Sequence, residues 1–443
     1  MDTGKQKNIQ KNVLKLMKTF ESEGFNCDLV GGAVRDILMG ETPKDWDIAT
    51  NAKWYETLKI FPNAKIVSEP MSVVKIFLKE SQKVTEVDVA TFREETYGTC
   101  YGRPDRVIFL DNIDADLKRR DFTINAMAME SAGNICDSYG GMADIENKVL
   151  RFVGDGRFRL TEDPVRMLRG IRMISEKNSE PESETKKAIY EKAELVKYIG
   201  GERVGAELLG IAKGQYRKKA FIALLDTGIL ENIFDAKLLP EKKRHLTELI
   251  KRDNRENKKR QAEDSEAACN FPDEKINLAI ILTWFLKETE CEIKTFVEKV
   301  LEMSFEKEFS NELIKTFMYI EELAETDSSK NLKNFISGSG EKIYIFIEEV
   351  LRKGRFTWDD PALEAKREKR CLMYKEIKEN KEAIFIKDLR TDGKMLNERI
   401  GIKGRKIGET LNFLLEKVHE NNKLNNEDAL IELAEEYCRN KEE

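Results

Sequence analysis

Strand-forming sequence is confined to one stretch of this chain, residues 28 to about 155. Short β-rich runs occur there and nowhere else at comparable density: SVVKIFLK, KVTEVDVATF, RVIFL and KVLRFVGD, separated by Gly, Asp and Asn turns. Ahead of it, Ile9, Val13, Leu16, Met17 and Phe20 recur at helical spacing over residues 8–20. Behind it, charged amphipathic stretches such as KKAIYEKAELVKYI and NELIKTFMYIEELAE take over. A chain of 443 residues exceeds one compact core. The expectation is an N-terminal α+β domain with a mixed sheet and helices, followed by all-α units. Polar runs at 175–187 and 252–275, and GRFTWDDP at 354–361, read as loops or linkers.

Composition narrows the chemistry. Charged residues make up 36% and the net charge is −6, so a globally basic nucleic-acid binder is excluded, whereas a local basic face is not. The seven cysteines are scattered and never form a CxxC pair, which argues against a disulfide framework or a cysteine zinc site and for a reducing cytoplasm. The two histidines, His245 and His419, are too far apart for a histidine metal cluster or a Ser-His-Asp arrangement. The polar start MDTGKQKNIQKN carries no apolar core of a signal peptide. The longest apolar stretch, 276–286, is too short to span a bilayer, so no membrane association is expected.

The densest chemistry lies in LVGGAVRDILMGETPKDWDIAT, residues 29–50. A strand at Leu29 and Val30 runs into Gly31 and Gly32, and a helix opens near Ala33. Glycines at such a turn let backbone approach a phosphate, and helix-start N–H groups favour an anion. Asp45 and Asp47 flank Trp46 in a strand-like alternation, so both carboxylates share one face. Carboxylates so placed repel unless a cation lies between them, and hard oxygen ligands suit Mg²⁺. A further alternating run, residues 85–92, presents Glu86, Asp88 and Ala90 on one face.

These residues resemble the class II tRNA nucleotidyltransferases, the CCA-adding enzymes and their poly(A) polymerase relatives, within the polymerase β-type superfamily. The resemblance rests on GGAVRDILMG…DWDIAT and on further segments in the same order: DVATFR (88–93), LKRRDFTINAMAM (117–129), DSYGGMADIENKVLRFVGD (137–155), EDPVRMLRGIR (162–172), GERVGAEL (201–208) and IGIKGRKIGETLNFLLEKV (400–418). It covers nearly the whole chain and is weakest from about 235 to 385. It implies a nucleotidyltransferase head (1–155), a nucleobase-reading helical neck (156–235), a helical body (236–385) and a tRNA-binding helical tail (386–443).

The resemblance also implies roles. Asp45 and Asp47 would hold two Mg²⁺ ions roughly 3.5–4 Å apart, and Asp88 would position or deprotonate the RNA 3′-hydroxyl. Gly31, Gly32 and Arg35 would contact the triphosphate; Arg120, Asp121 and Asn125 would read the ribose 2′-hydroxyl. Asp163, Arg166, Arg169 and Arg172 recur every three residues, a spacing that lines them along one side of a helix. Asp163 would accept from the exocyclic amine of cytosine or adenine, and Arg166 would donate to the adjacent ring nitrogen. Uracil and guanine present the reverse pattern and leave both charges unpaired, a mismatch such a site rejects by ~10⁴-fold or more. Arg169 and Arg172 would serve the triphosphate or orient the helix.

The implied activity is CCA addition to the tRNA 3′ end from CTP and ATP, with release of pyrophosphate. The implied partner is tRNA, through its acceptor end and upper stem, and no protein partner is implied. A-adding activity is the first alternative, followed by CC-adding and poly(A) addition. The stretch Arg93 to Phe109 keeps the length of a flexible loop that CC-adding members lack, and the acidic C-terminal region argues against poly(A) addition. A catalytically dead tRNA binder would lack one of the three acidic positions, and an antibiotic-modifying enzyme would lack RRDFTINA and EDPVR. Candidate basic patches are Lys242 to Arg244, Arg352 to Arg355 and Lys366 to Arg370.

Overall fold

The computed structural model describes residues 9–80, 83–98, 100–252, 271–289, 291–354 and 361–440. Most of the 252–275 run, residues 355–360 with Arg355, and Cys269 lie outside them. The chain divides into two compact units, residues 1–251 and 252–443.

The first unit is built on a seven-stranded mixed sheet. Its strands are β1 (Cys27–Val30), β2 (Trp46–Thr50), β3 (Lys65–Ser68), β4 (Val73–Glu80), β5 (Lys83–Thr91), β8 (Ala128–Glu130) and β9 (Ile135–Cys136), in the order β3-β4-β5-β2-β1-β8-β9. β2 and β5 run parallel; the other neighbours are antiparallel. Alternation drives the layering. Trp46 and Ile48, Val74 and Ile76, and Val87 and Val89 face a core completed by Val13, Leu16, Met17 and Phe20 of α1 (Lys11–Ser22) and by Ala33, Val34 and Ile37 of α2 (Gly32–Leu38). A helix α3 (Trp54–Ile60) leads into β3. On the opposite face, Val30, Ala49 and Ala128 pack under Phe92 and under Leu117 of α4 (Ile113–Lys118). That cover spans the β2-β1-β8 half of the sheet.

Residues 93–109, expected as a flexible loop, contain a hairpin of β6 (Arg93–Thr96) and β7 (Arg106–Phe109) joined by residues 97–105. Charge rather than apolar alternation holds its base: Glu95 accepts from Arg93 at 2.7 Å and from Arg119 at 3.1 Å. After α5 (Gly141–Glu146), a short strand β10 (Val149–Leu150) precedes α6 (Gly156–Glu162) and α7 (Val165–Lys177). The polar run 175–187 is mostly not loop. α7 continues to Lys177, α8 (Ser183–Lys192) starts early, and β11 (Glu180–Pro181) between them pairs in parallel with β10. α9 (Gly201–Lys213) then packs along α7.

The second unit is helical throughout its described residues, from Asp273–Lys287 to Glu427–Asn440. Its last three helices, Gly393–Ile400, Arg405–Glu420 and Glu427–Asn440, share a small core of Leu396, Leu414, Val418, Leu430 and Ala434. His419 is buried there, with Nδ1 2.6 Å from Asn334 Oδ1, so it braces the fold. No helix among the described residues is long and apolar enough to cross a membrane.

Candidate active site

The sheet brings the acidic residues together through register. Asp47 on β2 lies directly opposite Asp88 on the parallel strand β5, both on the face away from the α1–α2 core. Asp45 is not in the strand: it lies in an exposed bend one residue before β2 begins. The expected alternation therefore stops at Trp46, and Asp45 reaches the site from the loop. Burial pushes the Asp47 carboxyl above its usual range, Arg120 opposes that, and the Asp88 and Asp45 charges add to it. Among the described residues, no side chain donates a hydrogen bond to Asp47. One oxygen of Asp88 is buried without a close hydrogen bond and faces Lys75 Nζ at 3.5 Å.

Hard-oxygen donors side by side, none held by a close hydrogen bond, are what a divalent cation takes. Among the described residues, no three His, Cys, Asp or Glu side chains converge on one point. The donor set thus fits an ion that keeps waters and substrate oxygens, and does not form a closed protein cage.

Gly31 adjoins this pair. It joins β1 to α2 with φ +66°, a left-handed conformation that favours glycine. A Cβ there would stand 2.9 Å from Arg120 Nη1 and 3.9 Å from Asp47 Oδ2. Absence of a side chain therefore keeps the α2 N-terminus, opened by Gly32, clear beside the carboxylates. Arg120 reaches this space while anchored to Asp116 at 3.0 Å.

Arg35, expected at the triphosphate, packs against the glycine pair, its Nη2 3.4 Å from where a Cβ on Gly32 would stand. It is buried, bonding Asp36 Oδ1 at 2.8 Å and Asn125 Oδ1 at 2.7 Å. Asn125 in turn donates to Asp121 Oδ1 at 3.3 Å, and Asp121 Oδ2 accepts from Arg169 Nε at 2.7 Å. Burial alone would raise the Asp121 carboxyl, but Arg169 and the hydrogen bonds from Phe122 N–H and Asn125 hold it far below the usual range.

Asp163 does not lie on the helix of the three arginines. It sits between α6 and α7, because Pro164 starts a new helix rather than continuing the old one. Its Oδ1 accepts from Val165 N–H at 3.2 Å, and its Oδ2 accepts from Arg203 of α9 at 2.7 Å. Arg166 is buried, donating to Glu162 at 2.6 Å and to the Arg159 carbonyl at 3.0 Å, with the Tyr97 ring 5.8 Å away. Arg172 points to Glu207, 2.9 Å away. Gly102 in the hairpin turn donates to the Glu162 carbonyl at 2.8 Å, and a Cβ on it would collide with Asp163 and Arg203.

Sequence reasoning missed Glu162, Tyr97, Arg159 and Arg203 as members of this corner. Glu162 stood in the quoted EDPVR run, adjacent to a residue already assigned. Arg159 pairs with Glu162 three residues on, whereas Tyr97 and Arg203 are partners at long range and left no local signal.

Residues 27–151 match the poly A polymerase head domain, and residues 180–241 match the probable RNA and SrmB-binding site of polymerase A. The chain is 38% identical over 225 residues to the CCA-adding enzyme of Lactobacillus helveticus, covering 50% of this chain and 55% of that protein. It is 39% identical over 221 residues to that of Bacillus licheniformis, covering 50% and 54%. The chain spans about half the length of the curated relatives it matches. The fold likeness is longer. The Bacillus stearothermophilus CCA-adding enzyme in complex with CTP superposes with a TM-score of 0.72 at 24% identity over 98% of each chain. The Thermotoga maritima CCA-adding enzyme complexed with tRNA superposes with a TM-score of 0.64 at 20% identity over 98% of each. Residues 27–151 thus match the poly A polymerase head domain, in a chain whose fold is like that of the CCA-adding enzymes.

Proposed function

We propose that this chain is a tRNA nucleotidyltransferase that adds CCA to the tRNA 3′ end from CTP and ATP without a nucleic-acid template. The observation that carries the reading is the in-register pair Asp47–Asp88 beside the glycine pair, with the Asp163–Arg166 corner in the same unit. Residues 1–155 act as head, 156–235 as neck, 236–385 as body and 386–443 as tail. tRNA as substrate and the thiols of Cys27, Cys100, Cys136, Cys371 and Cys438, none of them in a disulfide, support a cytoplasmic location.

Asp45 and Asp47 would hold Mg²⁺, which when bound supplies charge neutralisation at the attacking and leaving oxygens. Asp88 orients the RNA 3′-hydroxyl and accepts its proton. The open turn at Gly31 and Gly32 and the Arg120 guanidinium receive the triphosphate. Asp121, fixed by Arg169 and Asn125, reads the ribose. Asp163 accepts from the exocyclic amine shared by cytosine and adenine, and Arg166 donates to the ring nitrogen beside it. Arg35 supports this array from beneath through Asn125.

The test is direct. Purified enzyme is given tRNAs ending at the discriminator nucleotide, after one C and after two Cs, with labelled CTP or ATP. CCA addition predicts extension of all three to the same end. Extension of the last alone, by one A, would make it an A-adding enzyme; failure on all three would refute the reading.

A further inference from the structure

One row of side chains crosses the sheet on the face that carries the carboxylates. Asp47 on β2 is opposite Asp88 on β5, Asp88 is opposite Lys75 on β4, and Lys75 is opposite Lys65 on the edge strand β3. Each step is one strand spacing, about 4.8 Å. The cover provided by Leu117 and Phe92 spans the β2-β1-β8 half, whereas β3 is exposed and Lys75 and Phe77 on β4 are half-buried. Lys75 Nζ lies 3.5 Å from Asp88 and 2.9 Å from Glu86, and Lys65 Nζ lies 5.3 Å from the centre of the Phe77 ring.

The order of the row carries direction. The glycine turn follows β1, so a triphosphate there lies on the β1 side of Asp47. In nucleotidyl transfer the attacking and leaving oxygens are roughly in line across the transferred phosphorus. The 3′-hydroxyl must then arrive from the opposite side, over β5 and β4. Two cations and one aromatic ring on an open sheet face are the elements with which proteins bind single-stranded RNA: ammonium groups for phosphates and a ring for a base. The Lys75–Glu86 ion pair does not account for Lys75, since an exposed pair contributes little to stability and exchanges readily for a phosphate.

We propose that the open face of β3 and β4 binds the last nucleotides of the RNA strand to be extended, with Lys75 at the terminal phosphodiester, Lys65 at the one before it and Phe77 against a base. The proposal rests on the reading above and adds to it the path of the RNA 3′ end.

The experiment uses the full chain, ATP, and an acceptor-stem minihelix lacking its terminal A. The double variant K65M/K75M should raise the KM for the minihelix about tenfold and leave the KM for ATP within about twofold. The slope of log kcat/KM against log salt should become shallower by about 0.7 per lysine removed. K75R should recover most of the loss, because it restores the cation. Using a minihelix removes any contribution from contacts to the rest of the tRNA. If the double variant is unstable, K65M alone reads the outer contact. An unchanged minihelix KM and salt slope would overturn the proposal, as would a rise confined to the KM for ATP. Fluorescence anisotropy of the minihelix without nucleotide reads the same surface independently of turnover. If the wild type extends no RNA yet the variants still bind the minihelix more weakly, the catalytic reading falls and the RNA surface stands.

Discussion

The site has two acidic regions built on opposite terms. On the sheet, Asp47 accepts no hydrogen bond and Asp88 has one buried oxygen without one. In the helical corner every carboxylate is engaged: Asp121 by Arg169, Glu162 by Arg159 and Arg166, Asp163 by Arg203. Charge follows the same division, with Asp47 pushed up and Asp121 held down. The first arrangement has nearby cations, Arg120 and Lys75, but leaves its carboxylates without close hydrogen bonds and so open to a ligand from outside. The second is complete in itself and fixes where hydrogen-bonding atoms point. Chemistry and recognition thus depend on acidic residues in different states.

Four experiments press on this contrast. Asp47→Ala should lower nucleotide addition at least about a thousandfold for CTP and ATP alike, since it removes a ligand for the ions that neutralise the reacting oxygens. The same variant should melt no lower than wild type, because it deletes a desolvated charge that no hydrogen bond holds. A residual rate above about a tenth would show that Asp47 holds no essential ion. Asp121→Ala should behave oppositely in the melt, losing about 2–4 kcal/mol, because Arg169 is left without its partner. A denaturant midpoint unchanged from wild type would remove Asp121 from the engaged group.

Asp163→Ala and Arg166→Ala should each lower kcat/KM for CTP and ATP together by roughly 10–100-fold and erode exclusion of UTP and GTP. Base preference as strict as wild type in the surviving activity would locate selection elsewhere.

The smallest effect concerns a carboxylate outside the site. Asp28 on β1 has its pKa raised from 3.8 to about 6 by burial and by Glu130 and Glu21. Its folded form holds the proton more tightly than the unfolded chain does, so the stabilisation is fully present below about pH 4 and is lost as pH rises through about 6. Asp28→Asn should therefore gain about 1 kcal/mol near pH 7 and flatten that part of the pH–stability curve. Melting temperatures across pH 4 to 8 provide the check.

The strand, glycine turn, helix and second strand of residues 29–50 were legible because alternation and paired glycines are local signals. Asp88 was legible for the same reason. The second strand of the hairpin 93–109 was visible as RVIFL, but the first was not, since Glu95, Arg93 and Arg119 rather than an apolar pattern hold it. The break at Pro164 was visible in the sequence, but an even three-residue spacing masked it, and Asp163 was assigned to a helix it caps. Arg203 is 40 residues from Asp163, and no spacing rule connects them. The bond from Arg35 to Asn125 spans 90 residues and depends on the fold, so no local signal announced it.

That last bond has a consequence for how the molecule breathes. Arg35, Asn125, Asp121 and Arg169 form an unbroken chain of hydrogen bonds from α2, through the turn at Thr123–Asn125, to α7. Breaking any link strands a buried polar atom, so the helices at its two ends should not open separately. In native-state hydrogen exchange the amides of α2 and α7 should exchange as one cooperative block, while those of the exposed strand β3 exchange far sooner.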